Sequence, residues 1–533
     1  MSIENRPWLT TRRTLLSLMA APLVLPASAM VLAQDGTPVA LSGPTEDLVA
    51  APEGKNDLII GQAADISTLD PQMSTSGNDI YVTFNIFDNL VYRDRGLQLL
   101  PMLATEWSLV DDLTWEFKLR DDVTFHNGDP FTAADVEFTI ERTYDPDAGT
   151  LVATVFTTVE DVEVVDDYTV RFHTKAPDPL LPGRLAFYGG QIIPMAYFEE
   201  VGAEEFGQAP IGTGPVMFTE HAPDERLVLT RNDNYWQEPI AVETVTFRPI
   251  PEASARIAAL ETGEVDIMTR IPTDQIQRVA DLPDARVEQV LYNGLYVLVL
   301  NSGVEPLTNP LVKQALAHAI DRQLIIDELW NGQGVVPSQP AVEGDFAYDP
   351  SLEPYPYDPD RARELLDEAG YDGTPVVFET TDGYLANDRT MAEAIGAMWE
   401  EVGVTVDLQI IEASVRAEKN RTKEFLGIWW SDPTNTLADP DGMMWRLLAP
   451  GGLQDYWRDE EFDALGAEAR SSLDPAVREA NYHRMFQIML ENYPWIPILQ
   501  PFESYGVINY VEWYPYANQY FNLRADNLWL ITE

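Results

Sequence analysis

"LPMLATEWSLVDDLTWEFKLRDDVTFHNGDPFTAADVEFTIER" runs from Leu100 to Arg142. Within it, "LTWEFKLR" alternates apolar and polar residues. That predicts a half-buried strand with Leu113, Trp115, Phe117 and Leu119 on one face. Asn127-Gly128 favours positive φ and marks a turn. Thr132 then caps a helix that runs to Arg142. "VEVVDDYTVRFHT", which follows, reads as strand, turn, strand.

The same mixture continues on both sides. Upstream, Leu58, Ile59 and Ile60 predict a short buried strand. Ile80, Phe84 and Phe87 lie at helical spacing behind Asn78 or Asp79 as N-cap. Downstream, "PIGTGPVMFTEHAPDERLVLTRNDNYW" reads as a Gly/Pro turn and a hairpin. "VETVTFRPIP" and "EASARIAALETGEVDIM" form a strand, a helix stopped at Gly263 and a second strand, a βαβ-like step. "LYVLVLN" (Leu295 to Asn301) is an apolar strand. Asn309 with Pro310 opens a helix, Asp321 caps the next, and Gly332 ends it. "YDPDRARELLDEAGY" is a helix, and "NDRTMAEAIGAMWEEVGVTVDLQII" is a helix and a strand. The tail from Ile496 is strand-like. This order predicts α/β lobes, not a sandwich or a bundle.

The chain has 533 residues, about three domains by a prior of roughly 150 residues each. It carries 87 acidic and 34 basic residues, net −53. Such a surface repels phosphate and excludes nucleic acid as a partner. "TTRRTLLSLMAAPLVLPASAM" sets the twin Arg12-Arg13 before an apolar run that is too short and Pro-broken to span a bilayer. It reads as a Tat-type signal peptide over 1–33, cut after Ala29 or Ala33. Residues 34–56 read as a flexible leader. There is no cysteine, hence neither a disulfide nor a lipid-bearing thiol.

Catalytic patterns are missing. His126, His173, His221, His318 and His483 show no metal-ligand spacing. There is no G-x-S-x-G elbow, and "GTGP" (212–215) lacks the lysine of a P-loop. A secreted glycosidase or peptidase stays open only as a reading without a motif, and no metal or cofactor is expected. "GIWWSDPTNTLADPDGMMW" (Gly427 to Trp445) reads as a loop that crowds Trp429, Trp430 and Trp445 with Asp432, Asp439 and Asp441. Asp439 and Asp441 suit turn or capping chemistry. Arg389 stands at the start of a helix whose face is marked by Met391, Ile395, Met398 and Val402. A guanidinium at a helix N-terminus is a ready anion site.

The opening stretch, followed in order by "PIGTGPVMFTE", "LVLTRNDNYW", "LETGEVDIM" and "PLVKQALAHAIDRQLIIDELWNGQG", resembles the family 5 extracellular solute-binding proteins. These are the dipeptide-, oligopeptide- and nickel-binding receptors of ABC importers. The resemblance covers essentially everything after the leader. It implies a periplasmic binding protein-like, two-lobed α/β clamshell (type II, cluster C-like) with an extra subdomain. Lobe I would hold 57–86, 200–296 and 502–533, the subdomain 87–199, and lobe II 297–501. Strand crossings near Leu298 and Pro501 would form the hinge. The implied protein is a monomeric periplasmic or secreted receptor that closes on a small solute, most readily a peptide, and delivers it to permease subunits. Trp429-Trp430-Ser431-Asp432 fits the Trp-x-x-Asp segment whose aspartate meets the α-ammonium in peptide-binding members. Arg389 would clamp the carboxylate. Ser76 and Gly77 in "STSGND", and Tyr292 and Asn293 in "YNGLY", fall where relatives touch ligand. Oligosaccharides stacked on Trp429, Trp430 or Trp445, and opine-like solutes, are the alternatives within the fold; chelated nickel ranks last.

Overall fold

The structure, a computed structural model, describes residues 48–531 apart from Thr436 and Gln519. The signal read over 1–33 and the leader as far as residue 47 lie outside the described residues. The rest of the leader is tied to the body. Val49 N donates to Asn509 O (3.1 Å), Ala51 N donates to Ile531 O (2.6 Å), and Lys55 Nζ lies 2.9 Å from Asp266.

Strand β1 (Asp57–Gln62) opens the folded chain, and helix α1 (Gly77–Ile86) follows. The helix starts two residues earlier than Asn78 as N-cap would allow, and three earlier than Asp79 would. Ser76 is its N-cap, in extended conformation. Asp79 lies inside the first turn instead. It is buried, accepting from Ser67 N at 2.9 Å and from the hydroxyls of Ser67 and Ser74. The positive end of the helix dipole favours a carboxylate there.

Residues 104–174 build a separate four-stranded antiparallel sheet. The N-cap predicted at Thr132 is present and forms a capping box, with Thr132 N donating to Asp135 at 2.9 Å; the helix runs two residues past Arg142, to Tyr144. Strand Thr114–Leu119 buries Phe117 and Leu119, but Leu113 is 43% exposed. It falls in the turn before the strand, outside the alternation.

Strand β2 (Thr244–Pro249), helix α2 (Ala253–Glu261) and strand β3 (Ile267–Met268) make the expected βαβ step. Both strands pair with β1 in parallel, one on each side. Strand β4 (Ala285–Leu291) and strand β5 (Tyr296–Leu300) are consecutive. Beyond them, strand β6 (Val376–Thr380), helix α3 (Asp388–Glu401), strand β7 (Val406–Ile410), helix α4 (Ala413–Thr422) and strand β8 (Ile428–Ser431) form a second parallel set, with β6 between β7 and β8. Strand β9 (Trp495–Ile508) joins the two sets. Its first part, Trp495–Leu499, pairs with β5; Phe502–Ile508 pairs with β4; Gly506 and Val507 pair with β3.

The hydrophobic cores separate accordingly. One is drawn from residues 58–87, 193–285 and 505–528. Another, around the four-stranded sheet, comes from 90–192. Two more, built from 295–499, cover opposite faces of the β5–β8 sheet.

The tryptophan-rich stretch is not a loop. Ile428–Ser431 is strand β8, buried at every residue, and Asp441–Trp445 is a π-helical turn. A strand covered on both faces needs a continuous apolar run, and "IWW" supplies it. Trp430 enters the core beside Phe378, and Trp429 enters the opposite one, stacked on Phe425 at 4.2 Å. Trp430→Ala should therefore cost ~3–5 kcal/mol in urea unfolding. Trp430→Phe should cost less than half of that, because the indole N–H it removes has no partner among the described residues.

Candidate functional site

The two sheets meet where β4 hands over to β5. Tyr292 N donates to Pro501 O at 2.9 Å, and Gln500 Nε2 donates to Tyr292 O at 2.8 Å. Asn293 Nδ2 donates to Asn435 O (2.7 Å), Asn435 N donates to Asn293 O (2.8 Å), and Leu295 N donates to Pro433 O (3.0 Å). Gly294 permits this approach: a Cβ there would stand 2.5 Å from the Tyr292 ring and 3.1 Å from Pro433 O. Segment 432–435 is thus laid against the crossing, and Asp432 is the first residue after β8.

Asp432 is half-buried. Burial pushes its carboxyl above the usual range, against the hydrogen bond from Tyr384 and the charge of Arg416. The Tyr384 hydroxyl donates to Asp432 Oδ1. The Arg416 guanidinium lies 3.2 Å from the Tyr384 ring centroid, a cation–π contact, and donates to Trp430 O at 3.3 Å. Asp432 forms no ion pair among the described residues. Tyr384 is held in place by Asp388, whose buried carboxylate accepts from Thr381 Oγ1 (2.6 Å), Gly383 N (3.0 Å) and Tyr384 N (2.9 Å). Burial works against that carboxylate, but these hydrogen bonds hold its pKa below the ordinary value.

A second group of polar side chains belongs to the first sheet. Arg270 stands just beyond β3, its guanidinium 6.0 Å from the Tyr81 ring centroid on α1. Tyr81 and Tyr505 share a hydrogen bond of 3.2 Å, and the Tyr505 hydroxyl donates to Glu503 at 3.2 Å. Burial raises the Glu503 carboxyl, and Arg270 opposes the shift. The phenols of Tyr292 and Tyr296 are pushed up by burial and then by both Asp432 and Glu503. Asp432 and Glu503 thus both act on Tyr292 and Tyr296, one from each side of the crossing. The arrangement can hold charged groups of both signs. It contains no nucleophile with an adjacent base. Among the described residues no three His, Asp or Glu side chains gather as a metal site.

Of the residues singled out from sequence, Asp432, Tyr292 and Asn293 come together at this crossing. Trp429, Trp430 and Trp445 do not present faces to it; they are 2%, 2% and 4% exposed in the cores. Asp439 is ion-paired to Arg478 at 2.6 Å, and Asp441 to Arg470 at 3.1 Å. Arg389 is exposed and bound to its own surroundings, 3.1 Å from Glu393 and 3.2 Å from Asp382. Ser76 is exposed at the start of α1, with Gly77 beside it, and the contact from that helix to the cleft is made by Tyr81. Sequence reading missed Tyr81, Arg270, Tyr384, Arg416, Glu503 and Tyr505. Arg270 had one legible signal: it follows directly on the predicted strand of "GEVDIM", and ligands in α/β sheets lie at the carboxyl ends of strands.

Residues 98–455 match the model of the bacterial extracellular solute-binding proteins, family 5. The chain belongs to that family. It is 28% identical over 525 residues to Heme-binding protein A of Haemophilus influenzae, covering 90% of this chain and 93% of the relative. It is 26% identical over 478 residues to the glutathione-binding protein GsiB of Escherichia coli K12, covering 86% and 92%. It superposes with a TM-score of 0.73 on the ABC transporter-associated periplasmic binding protein DppA of Helicobacter pylori in complex with the peptide STSA. That match is 26% identical and covers 89% of this chain and 98% of the other. The fold is the two-lobed α/β clamshell of these periplasmic binding proteins. Members of the family are extracytoplasmic binding components of transporters, not enzymes. Among the described residues no helix is long and apolar enough to cross a membrane.

Because Asp388 fixes the turn that carries Tyr384, Asp388→Ala should lower stability by ~1–3 kcal/mol, the cost of leaving buried donors unsatisfied. Denaturant unfolding measures it, and Asp388→Asn should recover part of the loss.

Proposed function

We propose that this chain is the extracytoplasmic receptor of an ABC importer, capturing peptides between its lobes and delivering them to permease subunits. The observation that carries the reading is Asp432. A carboxylate raised by burial, at the meeting of the lobes and without an ion pair among the described residues, is destabilised until a cation reaches it. A peptide α-ammonium is such a cation. The STSA complex of the Helicobacter relative and the glutathione-binding relative lend the same class of ligand. Oligosaccharide binding falls behind because Trp429, Trp430 and Trp445 are buried side chains and offer no stacking face.

The separation of the cores supports lobe I as 57–86, 200–296 and 502–533, the extra subdomain as 87–199 and lobe II as 297–501. The hinge is then the pair of connections 292–295 and 499–502, close to the crossings expected from sequence. Twin Arg12-Arg13 and the apolar run after it support Tat export, and the lack of cysteine supports a receptor without a lipid anchor. The receptor works as a monomer and has no nucleic-acid partner, in keeping with its net −53 charge.

A thermal-shift screen of peptides against oligosaccharides tests the reading, since ligand stabilises the folded state by mass action. Peptides should raise Tm and oligosaccharides should not. Asp432→Ala should weaken peptide binding by ~2–5 kcal/mol, as for one partner of a buried charge pair; unchanged affinity would sink the assignment.

The pH dependence follows from the raised Asp432 carboxyl. The unliganded folded state holds this proton more tightly than the unfolded chain does. The stability contribution is present below the unfolded pKa and is lost as pH rises through the folded one. At neutral pH, Asp432→Asn should leave the unliganded Tm unchanged or higher while abolishing the peptide-induced shift. Peptide affinity should decline as pH falls through the folded pKa, starting above the ordinary carboxylate range of about 4. Titration calorimetry across a pH series reads that decline.

A further inference from the structure

The cleft runs against the charge of the chain. The protein as a whole is net −53, yet three arginines act on the groups that line this space. Arg270 acts on Tyr81, Glu503, Tyr505 and Tyr296; Arg416 on Tyr384 and Asp432; Arg446 on Tyr188 and Asp432. Against them stand the carboxylates of Asp432 and Glu503. Asp441 is also in range of Arg446, but it is already paired with Arg470 and Arg184. None of the three guanidiniums forms an ion pair among the described residues. Arg416 rests on Tyr384, and Arg446 donates to Gly442 O at 2.9 Å.

Arg270 stands out further. Its side chain is exposed, and its backbone has φ +54°, a region that residues with a side chain rarely enter. Both neighbours are held to the sheet: Thr269 N donates to Gly61 O at 3.0 Å and Ile271 N to Ser504 O at 2.8 Å. Glycine would suit this backbone better. Strain of this kind gathers where a side chain has a task. The residue lies past the carboxyl end of a strand parallel to β1, where α/β sheets bind ligands.

We propose that the cleft selects peptides carrying more carboxylates than ammonium groups, and that Arg270 holds one of those carboxylates from the first sheet while Asp432 holds the ammonium from the second. The inference rests on the peptide-receptor reading above. A planar guanidinium fork suits a carboxylate in two-point contact, and the surplus of arginine leaves room for a second anion.

Titration calorimetry on the full chain tests this with Ala-Ala-Glu, Ala-Ala-Ala, Ala-Ala-Lys and Ala-Ala-Glu-amide, against wild type, Arg270→Gly and Arg270→Lys. Wild type should bind Ala-Ala-Glu at least tenfold more tightly than Ala-Ala-Ala, and Ala-Ala-Lys least tightly. Arg270→Gly should lose binding strength only toward peptides bearing the carboxylate it holds, and its unliganded Tm should be unchanged or higher because glycine relieves the backbone. Arg270→Lys should fall between the two. A loss that disappears on amidation assigns Arg270 to the C-terminal carboxylate. A loss that disappears when Glu becomes Ala assigns it to the side-chain carboxylate. The proposal is overturned if wild type binds these peptides without regard to charge. It is also overturned if Arg270→Gly keeps the preference, or weakens every peptide equally with a lower Tm. If wild type binds none of the peptides, the receptor reading falls first and this one with it.

Discussion

Strand β9 belongs to both sheets. Over Trp495–Leu499 it is hydrogen-bonded to β5, and over Phe502–Ile508 to β4 and β3. Fourteen residues in one extended run leave little freedom in how the two sheets approach, because each half must keep its own ladder. Beside it, the chain passes once from β4 to β5 through residues 292–295. Those residues are pinned to Pro501, Gln500 and Asn435. The meeting of the sheets is a narrow and polar region of backbone, surrounded by tyrosines. The cores lie on either side of these few connections, so they carry the proposed hinge.

Charge is distributed with the same economy. Basic residues are scarce, and several join distant parts of the chain through buried pairs: Arg142 with Asp70, Arg524 with Asp88 and Arg478 with Asp439, each at 2.6 Å. Breaking one partner of such a pair leaves an uncompensated charge in the interior, so these pairs fix how the segments dock. Surface pairs such as Arg389 with Glu393 add little, because water screens them. The arginines beside the cleft belong to neither group. Arg270, Arg416 and Arg446 face tyrosine rings and backbone carbonyls, and the carboxylate at the crossing, Asp432, has a phenol for a partner. Against a net charge of −53, these three guanidiniums have no carboxylate in ion-pair contact among the described residues.

The stretch from Gly427 to Trp445 shows where local reading stops. Its Asp-Pro pairs and mixed polarity read as a loop, yet Ile428–Ser431 is an interior strand with a tryptophan on each face. Burial on both sides removes the alternation by which a strand is recognised. Arg389 shows the converse. Its place at a helix start was legible, but the direction of its side chain depended on Asp382 and Glu393, two flexible carboxylates whose reach no pattern encodes.

Periodicity, caps and turn residues in the sequence determined the element order, including the Thr132 N-cap and the β2–α2–β3 step, because those signals act within a few residues. The ordered motifs determined the family, and Asp432, Tyr292 and Asn293 were legible through it. Only the tertiary structure decided that Tyr384 and Arg416 gather at Asp432, and that Arg270, Tyr81, Tyr505 and Glu503 gather on the first sheet. These residues are separated by tens to hundreds of positions along the chain and carry no shared spacing. What brings them together is one strand hydrogen-bonded to two sheets, and that pairing is a long-range choice that no local stretch contains.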